Sequence, residues 1–232
     1  MKIGLVVPAA GRGDRLAAGR PKAFVLLAGE PLLVHAVRGA LSSGVVDVVV
    51  VVVPAGMRDT VLELLAPLDC PDLRVVVGGG ERQDSVRAGV HALPSDVDGV
   101  LVHDAARSLA PPRVFVDVVA ALEAGAVAVV PTLAVSDTIK RVVDGVVVET
   151  VDRRELAVVQ TPQGFRHDAL HAAHEAARGA APATDDAGIL EALGHEVRVV
   201  PGAPEAIKIT LPQDLLLAEV LVGAAPTAPV AP

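Results

Sequence analysis

The stretch that decides the fold is residues 3–16, which read IGLVVPAAGRGDRL. Its first half, Ile3 to Val7, is an apolar run rich in β-branched residues, and small residues follow directly after it. Such a run is typical of a strand buried on both faces, and a loop of small residues at its carboxyl end can turn backbone N–H groups toward an anion. The stretch therefore predicts an α/β protein whose first strand ends in an anion-binding loop.

The rest of the chain repeats this alternation of apolar runs with helical patterns. The alternation is typical of βαβ units and of a mostly parallel sheet. The predicted strands are Ile3 to Val7, Val45 to Val53, Leu73 to Val77, Gly99 to Val102, Ala126 to Val130 and Glu196 to Val200. The predicted helices are Pro31 to Ser42, Met57 to Leu65, Arg82 to Leu93, Arg113 to Glu123, His167 to Arg178, Asp185 to Leu193 and Pro212 to Val222.

One segment departs from this pattern. Ser136 to Val151 is typical of two strands joined at Asp144-Gly145, a dipeptide that favours a type I′ hairpin turn. A hairpin inserted into a parallel sheet must project from it, and a projecting arm with an apolar face needs a partner. We therefore expect a single domain over residues 1–222 with a β-arm at about 136–156, followed by a disordered tail at 223–232.

Composition excludes several classes of protein. Hydrophobic residues make up 52% of the 232 residues, which excludes intrinsic disorder. Aromatic residues make up 1% and the net charge is −8, so a base-stacking surface and broad binding to nucleic acid or to an anionic membrane are not expected. Cys70 is the single cysteine, and no apolar run approaches the ~20 residues that span a bilayer. These features predict a soluble cytoplasmic protein.

Histidines and cysteine do not predict a protein-bound metal. The seven histidines have no second cysteine to complete a zinc framework of the usual spacing. His167, His171 and His174 share one helical face without nearby carboxylate or cysteine ligands, and we interpret that face as solvated.

The first loop carries the clearest chemical signal. Ala9, Ala10 and Gly11 allow a ligand to approach the backbone closely, and Arg15 and Lys22 add the positive charge that a polyphosphate needs. The alternative is an ordinary turn with solvated cations. A dinucleotide-binding loop fits less well, because its third glycine would fall at position 16, and no Gly-Lys-Ser/Thr of a P-loop follows.

Two further strand ends carry candidate ligand-binding residues. Gly78-Gly79-Gly80 precedes a predicted helix that contains Ser85, a pattern that suits close passage of a base or sugar but equally a flexible loop with a helix cap. Residues 103–107 read HDAAR, and Asp104 at a strand end is well placed to hold a metal or a substrate hydroxyl. The alternatives for Asp104 are a helix cap or a structural partner of Arg107, and we interpret His103 as structural.

Taken in order, these motifs resemble one enzyme family. Together with DTIK at 137–140, TPQ at 161–163 and IKIT at 207–210, they resemble the 2-C-methyl-D-erythritol 4-phosphate cytidylyltransferases of the non-mevalonate isoprenoid pathway, from Val6 to about Leu217. The resemblance implies a Rossmann-like nucleotidyltransferase sheet, mostly parallel. It also implies transfer of CMP from CTP to methylerythritol 4-phosphate with release of pyrophosphate, and Mg²⁺ held mainly by the CTP phosphates rather than by the protein.

The resemblance also assigns roles to residues. The implied catalytic residues are Arg15, Lys22, Arg153 and Lys208. The implied nucleotide-binding residues are Ala9, Ala10, Gly11, Gly79, Ser85 and Ala105. The implied acceptor-binding residues are Asp104, Arg107, Thr138 and Thr161. Arg153 and Thr161 lie on or just after the arm, which in the family reaches across a homodimer into the neighbouring site. Ser108 and Gly80 depart from the residues common in the family, and neither departure removes a cation.

Two other functions remain open at this point. A related enzyme acting on ribitol 5-phosphate, or on another polyol or sugar phosphate, would need the same CTP site. A non-catalytic nucleotide-binding regulator could keep the fold, but pure binding does not require the cations Arg15 and Lys22, which suit charge that develops in a transition state.

Overall fold

The part of the chain that the structure describes contains twelve strands and seven α-helices, besides short 3₁₀ helices and loops. The structure is a computed structural model, and it describes residues 1–11, 16, 21–179, 181 and 183–223. The strands are β1 (Ile3–Pro8), β2 (Leu26–Leu27), β3 (Glu30–Pro31), β4 (Val48–Val53), β5 (Leu73–Val77), β6 (Gly99–Val102), β7 (Ala128–Ala134), β8 (Ile139–Val143), β9 (Val146–Val151), β10 (Ala157–Val159), β11 (Gln163–Arg166) and β12 (Val197–Pro201). The helices are α1 (Leu32–Leu41), α2 (Arg58–Leu65), α3 (Arg82–His91), α4 (Pro112–Glu123), α5 (His167–Ala176), α6 (Asp186–Ala192) and α7 (Pro212–Gly223).

The centre of the main sheet is parallel and buried on both faces. β1 pairs with β4 on one side and with β6 on the other, and β5 pairs with β4, all in parallel. β4 consists of six valines, each at most 1% exposed. Alternate valines pack into two cores, one with α1, α2 and α4 and the other with α3, α5 and α6. Since these strands are parallel, their carboxyl ends share one edge of the sheet, where the loops can gather.

The other half of the sheet is mixed. β11 lies between β6 and β7 and is antiparallel to both, while β7 also pairs with β12 in parallel and with β10 in the antiparallel sense. The sequence pattern predicted neither β10 nor β11. β11 reads QGFR, so Phe165 is its one large apolar residue and no strand pattern is visible in the sequence. Its pairing with β6 and β7 accounts for its extended conformation. The result is an α/β fold with a mainly parallel sheet, as predicted.

The predicted hairpin is confirmed. β8 and β9 form a two-stranded sheet of their own, and the turn residues Asp144 and Gly145 have φ values of 48° and 79°. Two positive φ values in succession are what a type I′ turn requires. Five valines of this arm are exposed by 52–63%; they are Val142, Val143, Val146, Val147 and Val148. The described part of the chain therefore leaves an apolar surface on the arm uncovered.

Element boundaries differ from the predictions by a few residues. The strand expected from Val45 begins at Val48, because the preceding Asp47 turns its carboxylate to the Ile3 N–H at 2.7 Å. The strand expected to end at Val130 continues to Ala134. Gly223, expected to begin the tail, closes α7 instead, and residues 224–232 lie outside the described residues. No described helix combines the length and the apolar content that crossing a bilayer would demand.

Candidate active site

The first loop leads from the carboxyl end of β1 into a cavity of about 250 Å³, here called the first cavity. Ala9 is held at the sheet edge because its N–H donates to the Val52 carbonyl at 2.7 Å. Ala9, Ala10 and Gly11 all line the first cavity. The small residues of the loop thus lie where a ligand can approach the backbone.

Lys22 lines the same cavity from the far end of the loop. It begins a short 3₁₀ helix, Lys22–Phe24, whose Ala23 and Phe24 are buried in the core. This anchoring holds the lysine at the cavity wall. Arg15, the other cation predicted in the loop, lies outside the described residues.

The loop Gly78-Gly79-Gly80, here called the glycine loop, follows β5 and forms one wall of the first cavity through Gly79 and Gly80. A Cβ atom on Gly78 would lie 2.6 Å from Ser85 Oγ and 2.8 Å from Ala10 Cβ, so the loop can pass the first loop here only as glycine. Ser85, buried in the first turn of α3, donates a hydrogen bond to the Glu81 carbonyl at 3.2 Å. Gly79 and Ser85 both line the first cavity.

Asp104 lies directly after β6, and each of its two carboxylate oxygens forms an ion pair with a different cation. Arg82 Nε and Nη2 each lie 3.3 Å from Oδ1, and Lys208 Nζ lies 2.7 Å from Oδ2. No side-chain capping bond forms to the 3₁₀ turn that follows. Asp104 therefore brings together two cations that are distant in sequence. It does not act as a side-chain cap, and its attraction to Arg107 comes in addition to these two ion pairs.

The guanidinium of Arg107 donates hydrogen bonds to two backbone carbonyls. Its Nη1 donates to the Ala206 carbonyl at 2.7 Å and its Nη2 to the Val159 carbonyl at 3.0 Å. These bonds connect the segment after β6 to the strand end of β10 and to the segment that carries Lys208. In the described structure Arg107 thus shapes the wall of the site.

A second cavity, of about 180 Å³, adjoins the first. Arg107 and Thr161 line it, as do Gln160, Gln163, Thr184 and Asp185. Three side chains, Arg82, Asp104 and Lys208, line both cavities, and we call them the charged junction. Two ligands bound side by side would meet at this junction.

Charge balance keeps the junction ionised. Burial alone would raise the pKa of Asp104, but Arg82 and Lys208 together lower it well below its ordinary range. Burial also opposes the charge on Arg82, and the carboxylates Asp186 and Asp104 outweigh this effect and raise the pKa of Arg82. The junction is therefore a network of ions at neutral pH.

His103 holds Thr161 next to the junction. The Nδ1 atom of the buried His103 lies 3.0 Å from Thr161 Oγ1, and the same oxygen accepts the Asp104 N–H at 3.1 Å. The ring packs against Phe115 with 4.9 Å between ring centroids. Burial lowers the pKa of His103 from 6.5 to about 4, so it is neutral at pH 7. This geometry supports the structural reading of His103.

The pH dependence of stability should report on His103. The unfolded chain binds this proton near pH 6.5 and the folded chain only near pH 4, so the stabilisation is present above pH 6.5 and is lost as the pH falls. Between pH 7 and pH 5 we expect the free energy of unfolding to fall by about 2 kcal/mol from this group. Asp104 adds nothing in that window, because its pKa is lowered from 3.8.

Urea unfolding at several pH values measures this slope. His103→Gln should show a flatter dependence over the window than the wild type, whatever its absolute stability. An unchanged slope in His103→Gln would contradict the prediction.

Thr138 and Arg153 are predicted site residues that the structure does not bring to either cavity. Thr138 is exposed just before β8, and Arg153 is exposed just after β9, where its Nη1 donates to the Ser136 carbonyl. Both residues thus lie at the base of the arm. Within one chain they do not complete the site.

The side chains that support Arg82 from behind were not predicted from the sequence. Arg82 Nη1 donates to Asp186 Oδ2 at 2.8 Å, and Asp186 Oδ1 lies 3.1 Å from His174 Nε2. The prediction that His174 belongs to a solvated face is wrong, because α6 packs against α5 and buries it completely. The available signal was its position at i+4 from Leu170 and i+1 from Ala173 on the apolar side of α5.

Comparison with known families decides the assignment. A family model described as "IspD: 2-C-methyl-D-erythritol 4-phosphate cytidylyltransferase" matches residues 3–224. The chain belongs to this family. The resemblance predicted from the ordered motifs is confirmed, and so is the enzyme class, because members of the family are cytidylyltransferases.

Individual relatives of the cytidylyltransferase family agree in sequence and in fold. A 2-C-methyl-D-erythritol 4-phosphate cytidylyltransferase of Nocardia farcinica is 53% identical over 94% of this chain and 92% of its own length. One of Rhodococcus jostii is also 53% identical, over 94% and 93%. The crystal structure of the enzyme of that name from Thermus thermophilus superposes with a TM-score of 0.77 at 33% identity, over 97% of this chain and 100% of that one. A 4-diphosphocytidyl-2C-methyl-D-erythritol synthase from Anaerococcus prevotii gives a TM-score of 0.85 at 26% identity, over 96% and 99%.

Proposed function

We propose that the protein transfers CMP from CTP to 2-C-methyl-D-erythritol 4-phosphate, forming 4-diphosphocytidyl-2-C-methyl-D-erythritol and pyrophosphate. The observation that carries this proposal is the charged junction shared by two cavities in a chain of this family. The first cavity has the loop backbones and Lys22 to suit a nucleotide triphosphate. The second cavity has Arg107 and Thr161 beside the junction to suit a small polyol phosphate.

The chemistry requires positioning and cations. A phosphate oxygen of the acceptor forms a bond to the α-phosphorus of CTP, the bond from that phosphorus to the bridging oxygen breaks, and pyrophosphate leaves with the electron pair. The acceptor phosphate is itself the nucleophile, so no protein nucleophile or strong general base is needed. Lys22 on one side and Lys208 at the junction are placed to stabilise the charge that builds on the α-phosphate. We propose the same role for Arg15.

We propose that Mg²⁺ enters as part of the substrate, bound to the phosphates of CTP. Among the described residues, no group of three or more His, Cys, Asp or Glu side chains could hold a metal ion. Asp104, the acid predicted as a metal ligand or hydroxyl acceptor, has a cation on each oxygen. These residues do not fit a resident metal centre, whereas a triphosphate chelates the ion without protein ligands.

We also propose a homodimer in the cytoplasm, in which the arm of one subunit completes the site of the other. The exposed valines of the arm need a cover, and Thr138 and Arg153 at its base lie away from both cavities of their own chain. Insertion of the arm into a second subunit would answer both observations. A reducing compartment suits Cys70, which has no partner for a disulfide in this chain.

A panel of acceptors tests the proposed reaction. With CTP and Mg²⁺, pyrophosphate release should be rapid with methylerythritol 4-phosphate and should fall to background with ribitol 5-phosphate. The same assay without a divalent cation should also lose its signal. Turnover with ribitol 5-phosphate and none with methylerythritol 4-phosphate would contradict the proposal.

A further inference from the structure

Arg82 is the member of the charged junction that is supported from behind. It begins α3, and its guanidinium lies between two carboxylates, with Nε and Nη2 at 3.3 Å from Asp104 and Nη1 at 2.8 Å from Asp186. Asp104 lines both cavities, whereas Asp186 lines neither and is 1% exposed. One carboxylate thus faces the ligands and the other is sealed in the protein.

The sealed carboxylate is itself held by a buried histidine. His174 on α5 is fully buried, and its Nε2 lies 3.1 Å from Asp186 Oδ1 while its Nδ1 has no hydrogen-bond partner among the described residues. A buried ring nitrogen without a partner costs stability, and an apolar side chain would avoid that cost. The bond from His174 to Asp186 is therefore the feature that distinguishes this residue from ordinary packing.

Charge accounting explains why Arg82 needs two carboxylates. Arg82 lies on Oδ1 of Asp104 and Lys208 on Oδ2 at 2.7 Å, so the two cations share a single negative charge. With Asp186 present, two positive side chains, Arg82 and Lys208, are balanced by two negative ones, Asp104 and Asp186. Without it, Arg82 would be drawn toward Asp104 and would displace Lys208 at the point where both ligands meet.

We propose that Asp186 and His174 are positioning residues that fix the guanidinium of Arg82 at the junction between the two cavities. This inference rests on the proposed function for its kinetic consequence, since an anchored Arg82 would orient the acceptor phosphate toward the nucleotide. Neither side chain lines the first or the second cavity. Their effect passes through Arg82 alone.

Three variants separate positioning from packing. Asp186→Asn keeps the size of the side chain and removes its charge. His174→Gln can keep an N–H near the position of Nε2, whereas His174→Met fills the site without any donor. His171→Met is the matched control on the same helix, because His171 packs on His91 and takes no part in the network. If Asp186→Asn does not fold, the two His174 variants still carry the test.

Steady-state kinetics give the first readout, at a temperature well below the thermal unfolding of every variant. We expect Asp186→Asn and His174→Met to lower kcat/KM for the acceptor by about tenfold or more, with a smaller change in KM for CTP. His174→Gln should recover most of this loss, and His171→Met should match the wild type. Wild-type kinetics in Asp186→Asn and His174→Met, with only a lower Tm, would overturn the inference.

Nitrogen-15 NMR gives a readout that does not depend on turnover. The side-chain N–H signals of Arg82, assigned by their loss in Arg82→Lys, should exchange slowly with water in the wild type and in His174→Gln. They should exchange about tenfold faster or more in His174→Met and Asp186→Asn. Equal exchange rates in all variants would overturn the inference even if no acceptor in the panel were turned over. Failure of the wild type with every acceptor would instead count against the proposed function alone.

Discussion

Lys22→Ala should lower kcat by about 100-fold or more and leave the affinity for CTP nearly unchanged. The lysine lies at the wall of the first cavity, on a short helix whose neighbours Ala23 and Phe24 are anchored in the core. A cation held in that way can stabilise charge that appears only when the α-phosphorus becomes five-coordinate. An interaction made mainly in the transition state lowers kcat when it is lost and hardly affects ground-state binding.

The test requires both kcat and the Kd for CTP. Pyrophosphate release gives kcat, and calorimetry with CTP gives Kd. Lys2→Ala is the control, because Lys2 pairs with Asp96 on the surface and lines neither cavity. A kcat within threefold of the wild type would remove Lys22 from the mechanism, and a large rise in Kd with kcat retained would make it a binding residue.

The sheet could be predicted because its strands are buried on both faces. Six consecutive valines in β4 leave little choice other than a central strand, and Leu73–Val77 and Gly99–Val102 coincide with the predicted limits. β11 could not be predicted in this way. Gln163 can be buried there because its side-chain amide donates to Asp185 Oδ2 and accepts from the Ala187 N–H. Both partners are more than twenty residues away in the sequence. No local pattern contains that information.

The site residues likewise fall into two groups, one that the sequence predicts and one that it does not. Apart from Lys208, the residues of the first cavity lie on segments that follow three strands, β1, β5 and β6, so the sequence pattern predicts that they meet at one edge of the sheet. The network around Arg82 depends on tertiary packing, since its partners Asp104 and Asp186, and His174 behind Asp186, come from three separate segments of the chain. The helical pattern predicted α5 and α6 but not how one packs against the other. His174 was therefore assigned to solvent although it is buried.

Local charge also outweighs net charge in this protein. The chain carries −8 overall, yet three cations, Lys22, Arg82 and Lys208, line the first cavity against two carboxylates, Glu81 and Asp104. Fields from surface carboxylates are screened by salt within about 10 Å, whereas cations at a cavity wall act on a bound phosphate directly. An acidic protein can in this way bind anionic substrates. Because aromatic residues make up only 1% of the chain, we expect cytosine to be recognised by backbone and small polar groups.

Hybrid dimers should recover activity that neither parent has. Arg153→Ala changes the base of the arm and leaves the junction intact, whereas Asp104→Asn changes the junction and leaves the arm intact. We expect each variant alone to lose about 100-fold or more in kcat/KM, Asp104→Asn because Arg82 and Lys208 lose their shared counter-charge. If the arm acts across the dimer, one of the two sites in a hybrid is wild type. A statistical mixture holds one half hybrids, so about a quarter of the wild-type activity should return.

A second mixture provides the control. Asp104→Asn and Lys208→Ala both change the junction, so every site in their hybrid contains a defective junction and no activity should return. Different tags on the two parents show by co-purification that subunits have exchanged. If exchange is proven and the first mixture stays at the sum of its parents, the arm does not complete the partner's site. The loss of activity in Arg153→Ala would then come from the base of its own arm, where Arg153 donates to the Ser136 carbonyl.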